Sequence, residues 1–190
     1  MGGTDIAREH KSKMRLVRAL QTLMQTTPID KVQVTCLCAE ADVGRTTFYD
    51  NFENVFAVAT WYWDCVISET LALVGSTLSA LEAQEKLFLR LSEERDFFVP
   101  AFRDHNRSIN LHGHTTIGNM YFDLVEEHLG RPVNDEERMA ITFYNFGASD
   151  YCAEWISFGM HEDPIMLAHT FVDAFPAPME FLKKKPHERR

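Results

Sequence analysis

Residues 33–52 read QVTCLCAEADVGRTTFYDNF, and their reading decides the fold. The stretch divides into a short helix, a tight turn and a second short helix. Leu37, Ala41 and Val43 are spaced to fill the seam between the helices. The small Ala41 lets the two backbones approach, and Val43 plugs the turn. The second helix then presents Arg45, Thr46, Thr47 and Tyr49, side chains suited to DNA, while Phe48 and Phe52 turn to the core. A helix-turn-helix lays its second helix in the major groove. There the free N–H groups at the helix start, around Gly44, can meet a phosphate. Arg45 can pair with a guanine edge or a phosphate. Thr46 and Thr47 can donate to phosphate or touch a thymine methyl group, and the Tyr49 hydroxyl can reach the DNA backbone. Thr35, near the start of the first motif helix, is a candidate phosphate contact or cap.

Charge is distributed to match. The chain of 190 residues has a net charge of −9, which disfavours DNA as a whole. Residues 1–53, however, hold seven basic and seven acidic side chains, and the rest hold twelve and twenty-one. The acidic body repels DNA, so only the amino-terminal end can approach it. Lys11, Lys13 and Arg15 either reach phosphates or form an ordinary solvated helix face. No apolar run approaches the roughly 18 residues of a membrane span, and the first residues, MGGTDIAREHKSK, lack the apolar stretch of a signal peptide. Four cysteines do not make a disulfide framework; they read as reduced, buried thiols of a cytoplasmic protein.

Outward from the motif, the pattern is helical throughout, with no strand alternation and no repeat. Leu16, Val17, Leu20, Leu23 and Met24 form one stripe over residues 11–25, stopped by Thr26-Thr27-Pro28. Glu53 or Asn54 caps a long helix over residues 55–74, ended near Gly75-Ser76. A helix follows over residues 80–91. Pro100 should start an element running to about residue 111, and Gly113 should interrupt it before a helix over 115–129. Asn134 with Glu137 is a capping pair that opens a helix to about residue 159. Asp163-Pro164 starts the last helix, and the tail from residue 183 is charged and frayed.

Thr47-Phe48-Tyr49 followed by Phe52 resembles the T-[FL]-Y-x-x-F signature of the TetR/AcrR family of transcriptional regulators. Gly147, Trp155, Gly159 and Met160 resemble a looser carboxyl-terminal pattern of that family. The resemblance implies an all-α fold: a three-helix, helix-turn-helix domain over residues 1–53, joined to a larger helical bundle for ligand binding and dimerisation over 54–182. It implies a double-stranded DNA operator, a homodimer and a small-molecule effector as partners, with repression as the expected mode and no cofactor. Three departures stand out. Asp42 replaces the usual turn glycine, Asp50 stands where a basic or neutral residue is usual, and Val55 occupies the place of a lysine that touches a phosphate. A lost phosphate contact weakens binding and flattens its salt dependence.

In the body, candidate ligand contacts are Trp61, Phe98, Phe102, His105, Tyr121, Tyr144 and Asn145, drawn from a large set of aromatics that otherwise simply fill the core. The expected pocket lies between the helix over 55–74, the segment 97–105 and the helix over 115–129. It should be mostly apolar, suiting a flat or lipophilic molecule. Phe143, Gly147, Tyr151 and Trp155 are candidate dimer contacts. His112-Gly113-His114 invites a metal reading, but the spacing is poor and no carboxylate or cysteine cluster accompanies it, so no metal site is assigned. No phosphate-cradling loop, nucleophile elbow or zinc-protease motif argues for an enzyme. The remaining alternative is a regulator-like protein whose body binds another protein.

Overall fold

The computed structural model describes residues 3–103, 107–185 and 187. Among these, nine α-helices and three short 3-10 helices occur, with no strand. None of the helices is long and apolar enough to cross a membrane. The all-α architecture therefore stands as read.

Helix α1 spans Gly3–Met24, two turns earlier than the apolar stripe alone suggests. Leu16, Leu20 and Met24 on that stripe are fully buried. A 3-10 turn at Ile29–Lys31 leads to α2 (Val34–Ala41) and α3 (Arg45–Tyr49). Helix α4 runs Val55–Glu69, and Asn54 caps it by accepting the Ala57 N–H at 3.0 Å. The helix stops five residues before the expected end. At Thr70 the backbone leaves helical geometry, and its hydroxyl donates to the Val66 carbonyl at 2.6 Å, competing with the helix ladder.

Helix α5 (Ala80–Glu93) opens with a capping box between Ser79 and Glu82. Helix α6 (Arg95–Phe102) contains Pro100 inside it rather than at its start. Proline there cannot donate to the Asp96 carbonyl. That carbonyl instead accepts from Gln25 Nε2 at 3.0 Å, so the end of α1 satisfies the defect in α6. Helix α7 (Arg107–Leu129) runs straight through Gly113, which was expected to interrupt it. Packing explains the glycine: a Cβ at Gly113 would stand 3.0 Å from Trp63 Nε1 on α4. Gly118 is tighter still, with a Cβ there 2.8 Å from Asn145 Nδ2.

Helix α8 (Asp135–Ser157) begins at the Asn134–Glu137 capping box, and Arg131 grips Glu137 with two bonds of 2.8 Å. Helix α9 (Pro164–Asp173) is capped by Asp163, which accepts the Met166 N–H at 2.8 Å. A 3-10 segment, Ala177–Lys183, buries Met179 and Leu182. The tail beyond it is partly tied down, because Lys185 pairs with Glu82 at 2.7 Å. The buried side chains form one continuous cluster, so the helix-turn-helix and the body share a core. Helix α4 packs against α1 on one side and α7 on the other, which makes it the element joining them.

Candidate functional site

The helix-turn-helix is assembled around a dry seam. Leu37, Ala41, Phe48 and Phe52 are buried, and Val43 half-buried, where the spacing placed them. Burying a Phe or Leu side chain contributes about 1.5–3 kcal/mol, which fixes which face of the short α3 turns outward. That face carries Arg45, Thr46, Thr47 and Tyr49, all exposed, and Thr35 on α2 is exposed too. The Tyr49 ring rests edge-on against Phe48 at 5.3 Å, with its body supported and its hydroxyl end free to move.

The turn survives the loss of glycine. Asp42 adopts a left-handed backbone, φ 48° and ψ 48°, which aspartate tolerates better than most residues. Arg15 on α1 holds it there, donating to the Asp42 carbonyl at 2.7 Å and to its carboxylate at 2.6 Å. Arg15 is therefore engaged within the protein, as is Lys13. Lys13 pairs with Glu9 at 2.6 Å and lies over the Phe52 and Trp61 rings at 5.7 and 5.6 Å. Arg8 and Lys11 border a groove between α1 and the start of α3, together with Gly44, Thr47 and Asn51. Val55 differs from its expected surface position. It is only 5 % exposed and packs in the core at the start of α4, so the phosphate-contact position is occupied by a core residue.

In the body a cavity of about 40 Å³ lies between α4, α5, α6, α7, α8 and α9. It is room for a small cluster of waters, well below the several hundred Å³ of a drug-sized pocket. Phe102, Tyr121, Tyr144 and Asn145 line it, as the sequence reading placed them. Trp61 does not: its ring packs against His10 and Phe52 on the helix-turn-helix side of α4, and the inward-facing indole is Trp63. Phe98 is buried beside Tyr62 and Trp63, one layer away from the cavity. His105 lies outside the described residues.

The cavity is also more polar than expected. Trp63 Nε1, Gln84 Oε1, His114 Nε2 and Asn145 Oδ1 are buried without a hydrogen-bond partner, and all four residues line it. Gln84 donates to the Tyr121 hydroxyl at 3.2 Å, and Asn145 donates to the His114 carbonyl at 3.0 Å. Because that carbonyl can only accept, it fixes which end of the Asn145 amide faces inward. Burial raises the Tyr121 and Tyr144 phenols above their ordinary range and pushes the Cys152 thiol up to about 12, so these walls are neutral at pH 7. Gln84, His114 and Trp63 were absent from the expected contacts. Gln84 sits on an amphipathic helix where one polar residue on the inner face was the available signal.

On the opposite side of α8 an apolar groove runs along α9, lined by Phe143, Gly147, Tyr151 and Met166 among others. Phe143 is 86 % exposed, and a Cβ at Gly147 would meet nothing within 4 Å. Trp155 is not part of this face. It is buried in the chain's own core, edge-on to Phe88 at 5.4 Å, and its Nε1 donates to the Glu162 carbonyl at 3.3 Å, closing the α8–α9 turn. Tyr144 likewise turns inward, donating to the Phe171 carbonyl at 3.0 Å.

Of the two histidines beside Gly113, His112 bonds Asp64 at 2.8 Å and His114 lies against Phe146 at 3.8 Å. Among the described residues no group of three or more His, Cys, Asp or Glu is placed to hold a metal. Three of the four cysteines are buried or half-buried as expected, but Cys36 is exposed on α2.

No protein-family model matches the chain, and no curated protein matches it in sequence. Solved structures do match in fold. The chain superposes on DhaS, a dihydroxyacetone kinase operon activator, with a TM-score of 0.63 at 16% identity, over 89% of this chain and 96% of that one. It superposes on the fatty acid degradation regulator FadR of Bacillus halodurans with a TM-score of 0.54 at 16% identity, over 84% and 92%. Thermus thermophilus FadR, a TetR-family repressor solved with lauroyl-CoA, gives 0.50 at 18% identity, over 86% and 92%. The chain has the fold of the TetR-family transcriptional regulators.

Proposed function

We propose that this protein is a dimeric DNA-binding transcriptional regulator, a repressor released by a small molecule. The observation that carries the reading is the division of α3. Phe48 anchors it in the seam, while Arg45, Thr46, Thr47 and Tyr49 stand exposed together on one short helix. Such a helix reads one half-site, so two copies related by a two-fold axis are needed for an operator. The groove between α8 and α9, with exposed Phe143, Tyr151 and Met166 and the open Gly147, is the surface on which the second copy would seat. The cavity beside α4 is the effector site. Its occupant acts by favouring one tilt of α4, and so one spacing of the two reading helices. The acyl-CoA seen in Thermus FadR is not carried over, since no Lys or Arg lines this cavity among the described residues.

An electrophoretic shift assay on the DNA upstream of the protein's own gene tests the reading. Arg45→Ala should abolish the shift, and Tyr49→Phe should weaken every operator alike by about 0.5–1.5 kcal/mol. Unchanged affinity in Arg45→Ala would sink the docking arrangement. Sedimentation at micromolar concentration should give a dimer; a monomer would remove the groove from the assembly.

A further inference from the structure

We infer that the ligand of the α4–α8 cavity is a small uncharged molecule with a planar donor-and-acceptor edge, of the carboxamide or lactam kind, rather than an acid, a phosphate ester or a pure hydrocarbon. The inference rests on the effector-site reading above and adds the chemistry of what is bound.

Four polar atoms without partners converge on one small cavity, and three belong to side chains only 4 % exposed: Trp63, Gln84 and Asn145. Buried polar groups in folded proteins are almost always satisfied, by protein or by ordered water. Water therefore satisfies these in the ligand-free protein, and a ligand that displaces it must reproduce the same bonds. The pattern is specific. Asn145 Oδ1 accepts only, with its other end fixed on the His114 carbonyl. Trp63 Nε1 donates only. Exchanging the ends of the Gln84 amide would swap a carbonyl for an N–H but still leave one polar atom unpaired beside Tyr121. An occupant must thus give a hydrogen to Asn145 and accept one from Trp63.

A carboxylate or phosphate fails on both sides. It offers no hydrogen to Asn145, and no Lys or Arg stands among the described lining residues to neutralise it. A hydrocarbon leaves all four atoms unpaired. A neutral amide supplies both halves of the pattern.

The route in is also visible. The half-buried lining residues, Asn110, His114, Ile117, Ala148 and Ser149, all lie on the α7–α8 seam. The Asn110–Asp150 bond of 2.9 Å crosses that seam at the surface, so its carboxylate further disfavours anions. An occupant larger than the water cluster enters by parting side chains there.

Three probes of one shape separate the possibilities: benzamide, benzoate and toluene, each titrated into the full-length protein by calorimetry and followed by thermal denaturation. Benzamide should bind about tenfold more tightly than either of the others, the worth of one buried hydrogen bond. Asn145→Leu should erase that preference, and the wild-type ranking decides alone if the variant does not fold. Equal or tighter binding of toluene or benzoate, or no binding of any probe at millimolar concentration, overturns the inference. Saturating benzamide that leaves operator affinity unchanged overturns the effector reading while the ligand chemistry stands.

Discussion

The α2–α3 seam and the α7–α8 seam are both places where two helices close on each other, yet they are built oppositely. The first is filled by Leu37, Ala41 and Phe48, apolar and close-packed with no unpaired polar atom. The second leaves a hollow, and four unpaired polar atoms belong to the residues around it. A dry seam has one good arrangement, because any shift opens a void. A seam holding water has several, since water can be exchanged for a ligand at small cost. The difference places rigidity at the reading end and adaptability in the body, with α4 spanning the two.

The sharpest way to break that comparison is to hollow out the dry seam. Phe48→Ala should cost about 3–5 kcal/mol in urea unfolding, the range for a buried aromatic. A loss below about 1 kcal/mol would mean that the two seams are equally loose.

Val55→Lys separates family pattern from packing. The lysine would restore the usual surface residue, but Val55 is a core position here. The variant should lose about 1–3 kcal/mol of stability through its buried polar head and gain no steepness in the salt dependence of operator binding. A steeper slope with unchanged stability would show that this position reaches DNA after all.

Two glycines on facing helices sharpen the comparison further. Gly147→Ala should stabilise the monomer by about 0.5–1 kcal/mol, because the position is helical and its surroundings are open. Its dimer should weaken if the α8–α9 groove is the interface. Gly118→Ala meets Asn145 at 2.8 Å, so the same helical gain is offset by about 1–3 kcal/mol of overpacking. Stabilisation by both substitutions would mean that the cavity wall yields freely.

The smallest effect concerns acid. Arg131, with the Asn134 backbone N–H behind it, holds the Glu137 carboxyl at about 2, below its ordinary 4.5. A depressed carboxyl adds stability above its unfolded value and loses it as pH falls through the folded one. Stability should therefore decline from about pH 4.5 towards 2, and Glu137→Gln should flatten part of that limb in acid-denaturation curves. An unchanged limb would mean that the cap at α8 contributes nothing to the body's stability.

The helix-turn-helix was legible in the chain because its determinants are neighbours. Seam spacing, the Asp42 turn and the outward Arg45–Tyr49 face all lie within one short stretch, and each follows from helical periodicity and local sterics. The same holds for the caps at Asn54, Asn134 and Asp163, where a side chain reaches a backbone N–H three residues on. Pro100, Gly113 and Trp155 misled for the opposite reason. Proline and glycine read locally as breaks, but Gln25 supplies the missing bond for one and Trp63 demands the space of the other. Trp155 shares a helix with exposed aromatics, and only the packing of Phe88 against it turns it inward.

By itself, then, the sequence determined an all-helical chain with a DNA-reading motif at its acid-free end, since hydrogen bonds and steric contacts between near neighbours are enough to specify both. Which polar groups converge was decided by the tertiary structure alone. Trp63, Gln84, His114 and Asn145 lie on four different helices, and their meeting depends on helix crossings that no local pattern encodes. The cost of leaving such groups unpaired is felt only once the helices have closed around them.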